Sequence, residues 1–126
     1  MSSAEDFDEW KHRGQIEEWS KKRGCVWTSS KRSTYGYIVP GVAAGWLYVT
    51  DGDFCIAEGL ISNPDASSGA RHEAFWALQE AFEDRSRQLG KQRIIGLLAS
   101  DAMQAQAVDK GYKVLGVHLL IQKELS

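Results

Sequence analysis

The chain has little of what usually announces chemistry. Its two cysteines, Cys25 and Cys55, and its three histidines, His12, His72 and His118, lie far apart. They match neither a disulfide framework nor a redox pair nor a metal-ligand spacing, so two buried or half-buried thiols are expected, and no metal. Two prolines, no repeat and no low-complexity tract leave no linker, and residues 1–126 read as a single domain with one core. No apolar run approaches the roughly 20 residues needed to cross a bilayer, and the opening MSSAEDFDEW is acidic where a secretory signal is basic and then apolar, so the expected location is the cytoplasm. A net charge of −2 gives no general attraction for nucleic acid or an anionic membrane.

What is present is a hydrophobic fraction of 43% beside 25% charged residues, the balance of a globular domain. Its strongest periodic stretch is PDASSGARHEAFWALQEAFEDRSRQLG, from Pro64 to Gly90. Ala70, Ala74, Phe75, Leu78, Ala81, Phe82 and Leu89 recur at three- and four-residue spacing, which puts them on one stripe of an α-helix. Asp65, Ser67 and Ser68 are candidate N-caps, and Gly90 suits the left-handed position after the last turn. A helix that begins directly after a strand offers unpaired amides and a partial positive charge. SSGAR is therefore either a well-capped helix start or a cradle for an anion such as phosphate.

Before this helix, residues 4–23 read as two short helices carrying Phe7, Trp10, Ile16 and Trp19 and broken at Gly14. Lys21, Lys22, Arg23, Lys31 and Arg32, interleaved with Trp19 and Trp27, are either a solvated helix end or a surface for single-stranded nucleic acid. From residue 34 the period becomes extended: YGYIV closed by Pro40-Gly41, then GWLYVT, then FCIAEGLIS. The Asp51-Gly52 pair between the last two predicts a hairpin turn with positive φ at both central residues. After the long helix, QRIIGLLA predicts a buried strand parallel to its neighbour, SDAMQAQAVDKG a short helix with Asp101 in a capping box, and YKVLGVHLLIQKEL a final strand with a break near Gly116.

The expected fold is α+β: a helix pair and loop in residues 1–33, then a mixed sheet with helices in residues 34–125. It has three antiparallel strands, one helical crossover to a parallel strand, and helices on both faces. The strands flanking the crossover can then splay apart and leave a slot.

In this order of elements, and in FCIAEGLISNP, SSGAR, SDAMQAQAVDKGY and HLLIQKEL, the chain resembles a short, divergent member of the GNAT superfamily of N-acetyltransferases. The resemblance implies acetyl-CoA as cofactor and an amine as substrate. It places backbone groups of Leu60, Ile61 and Ser62 beside the pantetheine arm, and the pyrophosphate on the amides of Ser68, Gly69, Ala70 and Arg71. Glu58 is the carboxylate positioned to act as base. Where many members carry a tyrosine acid this chain has Ala107, and Tyr112, Ser100 and His118 are the substitutes; Ser100 also falls where many members have an Asn near the cofactor. The family's phosphate loop survives only as Gly69-Ala70. The same features fit a catalytically inactive GNAT-fold protein that binds or assembles with a protein partner, of a kind common among bacteriophage proteins; nucleic acid binding through the basic N-terminal third is the third reading. A dimer is compatible with the five tryptophans.

Overall fold

One five-stranded sheet, ordered β1-β2-β3-β4-β5, runs through the middle of the molecule, as seen in a computed structural model that describes residues 4–25, 33–96, 98, 101–116 and 123. The elements in chain order are β1 (Glu5–Asp6), α1 (Glu9–Lys22), β2 (Tyr35–Val39), β3 (Ala43–Val49), β4 (Phe54–Ser62), α2 (Ser68–Gln88), β5 (Arg93–Gly96) and α3 (Asp101–Asp109). Strands β1 to β4 pair antiparallel and β5 joins β4 in parallel, so the expected mixed sheet with one crossover is present. Among the described residues no helix is long and apolar enough to cross a membrane.

The sheet buries both faces because its strands alternate between two clusters. Tyr37, Ala43, Leu47, Cys55 and Ala57 point to α2 and meet Ala74, Leu78 and Phe82. Ile38, Ala44 and Trp46 point the other way and meet Ile16 and Trp19 of α1. A period of two in the strands against a period near four in α2 is what puts these residues together. Helix α2 starts on Ser67, whose hydroxyl accepts from the Ala70 amide at 3.1 Å, and stops at Gly90, whose φ is +75°. Both ends match the sequence expectation.

Two expectations for the N-terminal third and the turns need correction. Residues 4–23 form one strand residue pair and one helix, not two helices. Helix α1 begins on Asp8, whose carboxylate accepts from the amides of Trp10 at 2.9 Å and Lys11 at 3.2 Å, and it runs through Gly14. A mid-helix glycine costs about 1 kcal/mol, which the burial of Ile16 and Trp19 outweighs. Strand β1 is held by the Phe7 amide on Gly36 O at 2.9 Å and by the buried His12, whose Nδ1 accepts from the Asp8 amide while Nε2 faces Glu5 Oε1, each at 2.9 Å. With Nδ1 accepting, the proton of the neutral ring sits on Nε2 and is donated to Glu5. In the β3–β4 hairpin neither Asp51 nor Gly52 has positive φ. The ammonium of Lys91 donates to Thr50 O at 2.9 Å and Gly52 O at 2.7 Å, and Thr50 Oγ1 donates to Phe54 O at 2.6 Å, so side chains close this loop in place of a tight turn.

Glycine makes room at two places. A Cβ at Gly36 would lie 2.5 Å from Trp46 Nε1, so the indole occupies that space. Gly45 leaves a notch for Phe82, and opposite it the β3–β4 register shifts so that Gly59 and Leu60 of β4 face this one residue of β3, a bulge. Residues 112–116 follow α3 without forming a strand; beyond them only residue 123 is described, so the rest of the expected final strand lies outside the described residues.

Candidate functional site

The second half of β4 behaves differently from the first. Among the described residues, pairing with β5 runs from Phe54↔Arg93 to Ala57↔Gly96, while β4 continues through Glu58 to Ser62 against β3. Five residues of β4 thus extend past the last β4–β5 pair, and the bulge at Gly59 and Leu60 falls inside this overhang. Leu60 is exposed, whereas Ile61 packs against the α1 cluster. Ser62 is clamped: Arg23 donates from Nε to its carbonyl and from a terminal nitrogen to its hydroxyl, both at 2.8 Å.

The chain then turns through Asn63, whose carboxamide oxygen accepts from the Asp65 amide at 2.9 Å and whose Nδ2 donates to Gly41 O at 3.0 Å. Asp65 forms an ion pair with Lys22, which also reaches Glu18 at 3.3 Å. Two residues on, α2 begins. Of the four amides expected to face a diphosphate, that of Ala70 is taken by Ser67 Oγ and that of Arg71 by Ser67 O at 3.0 Å. The amides of Ser68 and Gly69 have no protein partner among the described residues. A Cβ on Gly69 would meet nothing within 4 Å, so open space lies beside it. The Arg71 Nε is buried without a hydrogen-bond partner.

The two catalytic candidates are not brought together. Glu58 pairs across the ladder with Trp46 and so stands on the α1 face, exposed and without an ion pair among the described residues. Tyr112 lies on the α2 side, where its hydroxyl donates to Glu83 Oε2 at 2.8 Å. Burial, then the hydrogen bond to the Glu83 carboxylate, hold this phenol above its ordinary range. Ser100, His118, Trp27, Lys31 and Arg32 fall outside the described residues.

Arg23 and Lys22 were legible only as cations at a helix end. Their partners Ser62 and Asp65 lie about forty residues away in sequence, and no local signal names them. Among the described residues no group of three or more His, Cys, Asp or Glu is placed to hold a metal ion. No protein-family model matches the sequence, and no curated protein matches it.

Proposed function

We propose that the chain is a small N-acetyltransferase of the GNAT type, binding acetyl-CoA where β4 outruns β5 and passing the acetyl group to an amine. The observation that carries this reading is that, among the described residues, five residues of β4 extend past the last β4–β5 pair and are followed, after one turn, by a helix whose first two amides have no protein partner. A strand edge that pairs with no described neighbour suits an amide-bearing arm laid alongside it, as an added strand would be. Unpaired amides at a helix start, with open space beside Gly69, suit a diphosphate.

The residues fit the ligand with a division of labour. Ser68 and Gly69 would hold the diphosphate and the edge of residues 58–61 the pantetheine arm. The thioester supplies an activated acetyl group. Glu58, unpartnered on the α1 face, would take the proton that the amine loses as the amide bond forms. Tyr112, on the opposite side of the sheet from Glu58, is tied to Glu83 of α2, which leaves protonation of the departing thiolate to solvent. A binding or assembly protein of the same fold without catalysis is the second reading, favoured by that separation of Glu58 from Tyr112.

Thermal unfolding with millimolar acetyl-CoA tests the site. A ligand present at about 100 times its Kd adds roughly 2.7 kcal/mol, a rise of several degrees in Tm. Gly69→Glu should abolish that rise while leaving the unliganded Tm unchanged or higher, because a carboxylate in the first turn favours the helix and the space is open. Absence of any shift for the parent chain would overturn the acetyltransferase reading. A shift without thiol release, across a panel of primary amines, would leave only the binding protein.

A further inference from the structure

We infer that the outer stripe of α1 docks antiparallel on the same stripe of a second copy of this chain, forming a two-fold symmetric pair. The inference does not rest on the acetyltransferase reading, since none of its residues belongs to that site.

Helix α1 turns His12, Ile16, Trp19 and Ser20 toward the sheet. Its opposite side carries Trp10, Gly14, Glu17 and Lys21, at steps of four, three and four residues, which is a straight row on an α-helix. Trp10 is 97% exposed, whereas Trp19 and Trp46 stand at 3% and 1%. An indole offers about 150–250 Å² of surface for burial, and here almost all of it meets solvent. A Cβ at Gly14 would meet nothing within 4 Å, so the backbone in the middle of the row is bare and open to close approach.

The charges choose the occupant and its direction. With Arg13 on its flank, the row reads aromatic, cation, gap, anion, cation. Turned end for end about a two-fold axis between Arg13 and Glu17, this order sets Arg13 against Glu17 of the second copy and Lys21 against its Trp10, and symmetry makes each contact twice. A parallel pair would set like against like. Lys21 makes no ion pair among the described residues, so its ammonium is available to an indole face. Arg13 meets Glu9 at 3.5 Å and Glu17 at 2.5 Å within the helix, but such exposed pairs contribute little, and a guanidinium with five donors has room for another carboxylate. One pair of 14-residue helices lies at the small end of protein interfaces, so the dimer is weak and concentration-dependent.

Sedimentation equilibrium of the full chain at low salt, up to millimolar concentration, tests the assignment. The weight-average mass should climb from one chain toward two. Trp10→Ala should weaken association by about tenfold or more without lowering Tm, because the ring is exposed. Arg13→Glu and Glu17→Arg should each abolish self-pairing, while an equimolar mixture of the two variants recovers it, since each then faces its opposite charge. Should either charge variant fail to fold, Trp10→Ala decides. A parent chain that stays monomeric, a Trp10→Ala chain that associates as the parent does, or a mixture without recovery overturns the proposal.

Discussion

The two halves of β4 share a strand and differ in almost everything else. From Phe54 to Ala57 the strand is paired on both sides, and Cys55 and Ala57 are sealed beneath α2. From Glu58 to Ser62 it is paired on one side among the described residues, bulged, and half of it faces outward. The lesson is that one strand can be core along one half and surface along the other. Burial fixes the first half, and side-chain latches from the end of α1 hold the far end of the second, Arg23 on Ser62 and Lys22 on Asp65 just beyond it.

Substitutions can break this contrast or sharpen it. Cys55→Asp would put an unpaired carboxylate where the exposure is 0%, at a cost above about 4 kcal/mol, a large share of the roughly 5–15 kcal/mol that keeps a domain folded. Glu58→Gln, three residues on, should shift stability by less than about 0.5 kcal/mol in urea melts. Comparable losses at both positions would erase the distinction. The same Glu58→Gln should slow acetyl transfer by about 10²-fold or more while the acetyl-CoA-induced rise in Tm persists; unchanged turnover removes Glu58 from the chemistry. Arg23→Ala, which deletes two hydrogen bonds to Ser62, should cost about 1 kcal/mol and weaken acetyl-CoA binding, with Arg23→Lys between the two.

The smallest effect concerns Tyr112. Its folded pKa lies above the ordinary phenol value of about 10, so the folded state holds its proton where the unfolded state gives it up. That contribution is complete below about pH 10 and is lost as pH rises through the folded value. The Tm should therefore fall above about pH 10, and Tyr112→Phe should flatten that limb with little change at neutral pH. An identical alkaline limb in the variant would assign the loss to other groups.

Elements whose signals are local were legible in the sequence. Ser67 and Gly90 bound α2 because capping is decided within a few residues, and the three antiparallel runs followed from their β-branched and aromatic content. What was not legible depends on distant partners. Helix α1 continues through Gly14 because Ile16 and Trp19 dock on the sheet, and the two-residue β1 is held by its pairing with β2, by Gly36 O and by the His12–Glu5 bond. The site divides in the same way. Open amides at Ser68 and Gly69, and the capture of the Ala70 and Arg71 amides by Ser67, follow from a capped helix start, but the Arg23 clamp on Ser62 and the capture of Tyr112 by Glu83 required the fold.

Gly36 carries a consequence of its own. Since Trp46 fills the volume where its side chain would stand, with Phe7 also in contact range, even one methyl group there would dislodge the indole and unseat β1. In a saturation mutagenesis screen position 36 should register as intolerant as any reactive residue. That intolerance would report volume exclusion between packed side chains, a false beacon for anyone reading function from mutational sensitivity alone.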